Sequence, residues 1–348
     1  MVMLDVFKQD AFSFTSLTHR ILERPYIPGL IGKMGLFDED PISTTSVAIE
    51  KMGQSIRLIE PTPRGGPGET GSNDKRNVRQ FIVPHYQWDG SVIADEVQNL
   101  RAFGEENEVE TVLGHLDKIT NRDLLRMDAT LEHQRIGAIK GIVITRDGAT
   151  LYNWFTEFGV TPPAAVNFAL GTAATDVRLK CEEVIYGIED ALDGDAGLGD
   201  VQVDGVVGRD FWNFLITHPK VEATYQNWEA AAALRTGLVR STPFEFGGIR
   251  FHRYKTGKKV RESKNKAGAA IGAFIGTDEA RFVARGVPEL FKTVFAPADY
   301  NETVNTPGQA RYLRLREKDN NKGYNFEMQS NPLSICARPE TLFSGTRV

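Results

Sequence analysis

The stretch Glu105–Lys140, EENEVETVLGHLDKITNRDLLRMDATLEHQRIGAIK, decides how the rest of the chain is read. Val109, Val112, Leu113, Leu116 and Ile119 recur at i, i+3, i+4, i+7 and i+10. Leu124, Leu131 and Ile139 continue an apolar side among charges, the periodicity of an amphipathic helix. Glu105, Glu106 and Glu108 stand where the positive end of the helix dipole favours carboxylates. Thr120 and Asn121 mark the place where such a helix would break, if it breaks. At 1.5 Å per residue the run spans roughly 50 Å. A rod of that length suits a scaffold better than an active-site lining.

Upstream of the rod, Ser46–Glu60 and Asn77–Tyr86 are strand-like and flank a glycine-dense segment, Arg64–Arg76, RGGPGETGSNDKR. Two strand-like runs around a Gly/Pro/Asn/Asp cluster predict a long hairpin. Gly66 and Gly71 have the spacing of a phosphate-binding loop, but Ser72 and Asn73 stand where Lys and Ser/Thr are required, and no helix follows. The nucleotide-site reading therefore fails. Residues 1 to about 42 place Phe12, Phe14, Leu17, Ile21 and Leu22 between Pro25, Pro28 and Pro41, which predicts an extended arm with no long regular element.

Downstream, Gly141–Phe155 reads as two strands joined at Asp147-Gly148, and Pro162-Pro163 marks a junction. Val177, Cys181, Val184, Ile185 and Ile188 have helical spacing, followed by the loop GDAGLGD. A short strand and the helix Phe211–Ile216 come next, then a strand over Glu245–Tyr254 and a short helix over Glu289–Phe295. Ala310–Arg316 and Tyr324–Gln329 form a last hairpin about Asn320–Gly323. The class is α+β, with antiparallel strands, interspersed helices and no βαβ repetition.

The 348 residues carry a formal net charge of -5 and the composition of an ordinary globular chain, against the strongly basic balance of a DNA-coating protein. Cys181 and Cys336 are far apart and read as buried thiols of a reducing compartment rather than a disulfide or a metal pair. The N-terminal segment has Asp5 before any apolar run, so neither a signal peptide nor a membrane anchor is expected, and the expected site of synthesis is the cytoplasm.

Catalytic motifs are missing: no H-E-x-x-H, G-x-S-x-G or clustered Cys/His pattern occurs. No cofactor or metal is expected, and the chain is not read as an enzyme. His115, His133 and His218 are read as surface or interface side chains. Asp190, Asp193, Asp195, Asp200 and Asp204 alternate with glycines; without the EF-hand order they read as a solvated loop rather than a Ca²⁺ site. Arg250–Lys266 holds eight Lys/Arg against Glu262, an exposed basic loop that is expected to meet acidic surface on another copy, such as the Asp193 and Asp195 loop.

An arm, a long hairpin, a rod-like helix and a compact α+β part, in that order, resemble the major capsid proteins of tailed bacteriophages, specifically the lambda-like protein E family. The stretches that carry the resemblance are Val83-Pro84-His85, Ala94–Gly104, Asp147-Gly148 with Leu151–Phe155, Phe244–Ile249, Ala296–Tyr300 with Glu302–Thr306, Gln329–Leu333 and Arg338-Pro339-Glu340. The resemblance implies the Hong Kong 97-like fold: an N-terminal arm over 1–42, an E-loop over 43–90, a P-domain over 91–164 with its spine helix at 105–140, an A-domain over 165–305, a return to the P-domain over 306–337 and a C-terminal segment over 338–348. It implies a virion shell of hexamers and pentamers enclosing double-stranded DNA without sequence-specific binding, assembled in the host cytoplasm with no membrane. Expected partners are other copies, a decoration protein, a scaffold, a portal and a maturation protease. An encapsulin-like compartment shares the fold and is the alternative. The expected assembly contacts are Arg64, Lys75, Arg76 and Arg79 of the E-loop, with Lys258, Lys259 and Arg261 opposite Asp193 and Asp195. Gly65, Gly66, Gly68 and Gly71, and Pro84 with Gly90, are the expected flexible joints. No Lys–Asn crosslink is expected.

Overall fold

Where the chain must bury its rod-like helix decides its first layer of structure. The computed structural model describes residues 13–22, 29–52, 76–93, 112–192, 201–226, 243–319 and 322–348. They form two compact units, one drawn from residues 1–47, 81–135 and 292–335, the other from 48–80, 136–291 and 336–348.

The helix Val112–Lys140, whose residues 112–135 fall in the first unit, runs unbroken through Thr120, whose hydroxyl donates to the Leu116 carbonyl at 2.9 Å instead of interrupting the helix. Leu116 and Leu124 pack with Leu17 and Ile21 and with Val92, Leu313, Tyr324, Phe326 and Met328 of a three-stranded antiparallel sheet. The sheet has Gly323–Ser330 in the middle, between Tyr312–Glu317 and Tyr86–Ile93. The tail hairpin is therefore as expected, but its third strand, Tyr86–Ile93, was not: its alternation is blurred by Asp89-Gly90-Ser91. Gly90 faces Phe326 in this ladder, and an added Cβ would lie 2.1 Å from the ring. This glycine is a packing requirement rather than the expected joint.

The described part of the arm is also not wholly extended. Phe14–Leu22 and Leu30–Met34 are helices, because Leu17 and Ile21, one turn apart, have a core to enter. Asp38–Pro41 then pairs in parallel with Phe291–Phe295, which Pro332–Cys336 flanks on the other side. Glu289–Phe295 is thus no helix. Glu289 has φ 59, outside helical conformation, and Phe291, Thr293, Val294 and Phe295 are buried as a central strand, where pairing overrides local propensity.

The second unit is built on a six-stranded sheet in the order Val166–Asn167, Phe343–Thr346, Glu279–Arg285, Gln202–Val207, Ile249–Arg253, Phe244–Phe246. Two of its pairings are parallel, against the antiparallel expectation. Phe244–Arg253 is a hairpin rather than one strand, because Gly247 and Gly248 take φ 58 and 80 and turn the chain against Cys181 and Ile185. The helix Val177–Ala191 is capped by Asp176, which accepts from the Arg178 and Leu179 N–H groups, and it buries Val177, Cys181, Val184 and Ile188. Phe168, Phe211, Phe251 and Phe282 fill the core, with Phe168 and Phe211 edge to face at 5.3 Å. Ile142–Ile144 and Thr150–Asn153 form the predicted hairpin, but its second strand stops at Asn153, which caps the helix Trp154–Phe158. Ser46–Met52 and Arg76–Ile82 pair as the two stems of the predicted long hairpin.

Candidate assembly surfaces

The buried face of the long helix carries charges. Arg135, 3% exposed, sends Nη2 to Glu39 Oε1 at 2.7 Å and Nε to Thr293 Oγ1 at 3.3 Å, and Thr293 meets Ser334 at 3.2 Å. Asp128 accepts from Arg311, both buried. Glu132 accepts the N–H groups of Ile31 and Gly32 at 3.0 and 3.3 Å, tying the short arm helix to the long one. Burial pushes the Glu132 carboxyl up, against the two N–H bonds and nearby Arg135, which pull it down. A recess of about 180 Å³ beside this lattice is lined by Leu22, Glu39, Leu131, Phe295 and the Asp128–Arg311 pair. Its carboxylates already serve guanidinium groups, so it offers no base beside a nucleophile. Among the described residues no group of His, Cys, Asp and Glu is arranged to hold a metal ion.

In the second unit Glu279 accepts from Lys140 at 3.1 Å and from Arg281 Nε at 2.6 Å. Burial pushes the Glu279 carboxyl up, but Arg281, Lys140 and the Gly276 N–H outweigh it and leave it below the ordinary value. Burial likewise holds the Lys140 ammonium below its usual range despite Glu279. Burial raises the Cys181 thiol to about 12 and pushes Cys336 up as well, which makes both inert, free thiols.

Two sequence readings need correction. His218 is not a surface side chain: it is 2% exposed, with Nε2 3.1 Å from the Thr172 carbonyl oxygen, because Val221 and Leu215 draw the helix junction inward. Asp204 is not in a solvated loop. It is fully buried in the strand Gln202–Val207, carried in by Val203, Val206 and Val207, and meets His252 Nε2 at 3.2 Å and Arg285 Nη1 at 3.4 Å.

Of the expected contact residues, Arg64, Lys75, Asp193 and Asp195 lie outside the described residues. Arg76 opens the strand Arg76–Ile82, and exposed Arg79 has Nη1 3.8 Å from Glu157 Oε2. Lys258, Lys259 and Arg261 share a single exposed helical turn, Lys258–Arg261. Sequence reading missed the outer face of Val177–Ala191, where Leu179 and Tyr186 are 66% and 62% exposed. The signal was present: two large apolar residues seven apart, off the buried stripe.

Residues 13–347 match the family model described as Phage major capsid protein E. The chain is 29% identical to the major capsid protein of Pseudomonas phage KPP10, covering 97% of each chain. It is 25% identical to the major capsid protein of Salmonella phage Felix O1, covering 98% of this chain and 97% of that one. Among solved structures, a capsid protein of a prophage from E. coli CFT073 superposes with a TM-score of 0.56 at 12% identity, over 92% of this chain and 94% of that one. At such identity the structural likeness is one of fold.

Proposed function

We propose how this chain builds a shell from one premise: it belongs to the phage major capsid protein E family, it has the Hong Kong 97-like α+β capsid fold, and it is a major capsid protein of a tailed phage. The observation that carries the premise is the match over residues 13–347, with relatives covered almost end to end. Such a protein is a virion component that self-assembles.

In our reading, copies associate as hexamers and pentamers into an icosahedral shell around double-stranded DNA, in the host cytoplasm, with a scaffold, a portal, a maturation protease and a decoration protein as partners. The parts are used as arm (1–42), E-loop (43–90), P-domain with spine helix (91–164), A-domain (165–305), return strands (306–337) and C-terminal segment (338–348). The stems Ser46–Met52 and Arg76–Ile82 support the E-loop assignment, since a two-stranded ribbon is marginal alone and gains by lying on a neighbour. Arg64, Lys75, Arg76 and Arg79 are its proposed charges for that contact. The chain acts without catalysis or cofactor, and no observation favours an encapsulin-like compartment.

Electron microscopy of the purified protein tests the assignment: closed shells or rings are expected, and dispersed small oligomers would overturn it. Deleting Gly65–Asn73 is expected to leave the fold intact by circular dichroism while reducing shell yield; normal shells would remove the E-loop role.

A further inference from the structure

We propose that the outer face of the helix Val177–Ala191 and the basic segment Lys255–Lys266 are the two halves of one contact between neighbouring copies of this chain. The proposal rests on the shell reading above and specifies a surface for it.

The helix presents Leu179, Glu182, Tyr186 and Glu189 along one stripe, three or four residues apart, opposite the buried stripe of Val177, Cys181, Val184 and Ile188. Leu179 and Tyr186 are largely in solvent, an exposure that core packing does not require. From Cys181 to Ala191 the helix carries Glu182, Glu183, Glu189 and Asp190 and no Lys or Arg. Glu189 and Asp190 stand in the last turn, where the dipole disfavours carboxylates and which holds no basic residue of its own. Beside the start of the stripe, Lys180 Nζ reaches Glu183 at 2.7 Å. A cation supplied from outside would relieve the remainder.

The complementary surface is on the same unit. Lys255, Lys258, Lys259, Arg261, Lys264 and Lys266 are all exposed, against Glu262 within the segment and Asp147, whose Oδ2 lies 3.9 Å from Lys266 Nζ. Backbone bonds hold the segment in a fixed frame: the Ile271 N–H donates to the Ser263 carbonyl, Gly272 to Arg261 and Asn265 to Ala269, at 2.9 to 3.0 Å. The Lys266 N–H donates to Asp147 Oδ1 at 2.8 Å. The charges are therefore preorganised rather than carried on a loose tail.

Within one copy the middle of the helix and the start of the basic segment stand apart. Gly247 and Gly248 touch Cys181 and Ile185 of the helix, while the basic segment begins past the opposite end of the strand Ile249–Arg253. Five residues of strand separate them by roughly 16 Å. That exceeds the Debye length of about 8–10 Å at physiological ionic strength, so charges at these two points are screened from each other. Between copies the surfaces can touch. Because they differ, the contact is head-to-tail, and a head-to-tail contact that closes makes a ring.

The test combines two charge reversals, Lys258→Glu with Lys259→Glu and Arg261→Glu, and Glu182→Lys with Glu189→Lys and Asp190→Lys, read by gradient sedimentation and electron microscopy. Each reversal alone is expected to lower the yield of shells by about tenfold or more, since like charges then face each other across the contact. The combined chain is expected to recover to within a few-fold of wild type. Leu179→Ser with Tyr186→Ser, which changes exposed positions only, is expected to lower yield with an unchanged circular dichroism spectrum. Single reversals that assemble at wild-type yield, a combined chain that does not recover, or a basic-segment reversal that gives normal shells lacking DNA would each overturn the proposal; the last would assign the cations to the genome. A wild-type chain that forms no shell would instead overturn the reading on which the proposal rests.

Discussion

The unit built around the long helix and the unit built on the six-stranded sheet solve the same burial problem with opposite chemistry. The first puts Asp128, Glu132, Arg135 and Arg311 in its interior and pairs Asp128 with Arg311, Arg135 with Glu39 and Thr293, and Glu132 with backbone N–H groups. The second fills its centre with Phe168, Phe211, Phe251 and Phe282 and buries one carboxylate, Asp204, deep in the sheet. A close-packed apolar core tolerates volume-conserving swaps, whereas a buried charge loses heavily when its partner is removed. A helix that must keep an arm and returning strands in fixed places therefore gains specificity from charges that a plain aromatic core would not give.

The sharpest way to break this contrast is to remove one member from each interior. Arg311→Ala takes the buried guanidinium away from Asp128 and is expected to cost about 3–5 kcal/mol. Phe282→Ala leaves a cavity at a similar cost of about 3–5 kcal/mol. Urea unfolding of the unassembled chain measures both. The contrast then appears in rescue: Arg311→Met with Asp128→Leu is expected to regain most of the loss, because two charges leave together. Failure of that rescue would mean that the lattice is more than a pair.

Gly90→Ala is expected to cost about 1–3 kcal/mol through overpacking against Phe326. A smaller effect in the same assay would restore the hinge reading. The gentlest test is pH. Glu279 has a lowered pKa in the fold, so its stabilising contribution is present above its unfolded value of about 4.3 and is lost as pH falls through the folded one. Glu132 has a raised pKa, so the fold is favoured while it is protonated, and that advantage is lost as pH rises through the folded value. Glu279→Gln is accordingly expected to flatten the acid limb of a Tm-versus-pH curve, and Glu132→Gln to flatten the rise in cost at higher pH. Parallel shifts in the two variants would show that the two interiors do not differ in this way.

Elements with their own periodicity were legible in sequence. The long helix, the helix Val177–Ala191, the Asp147-Gly148 hairpin and the tail hairpin each carry their signal locally. What escaped was set by distant partners. Phe291–Phe295 is a strand because Asp38–Pro41 and Pro332–Cys336 lie on either side of it, and Tyr86–Ile93 because Gly323–Ser330 does. Asp204 looked solvated among its glycines until His252 and Arg285 met it across the sheet. The candidate surfaces divide the same way. The basic turn stood out as a charge run, whereas the Leu179–Tyr186 face carries only two apolar residues off the stripe that the sequence marks as buried, a weaker signal.

The meeting of Gly90 and Phe326 also limits how this sequence can drift. Position 90 can accept a larger residue only if position 326 shrinks at once, since the incoming Cβ and the ring claim the same volume. Either change alone passes through a poorly packed intermediate, so in a diverging lineage the two sites are expected to move as a pair or not at all.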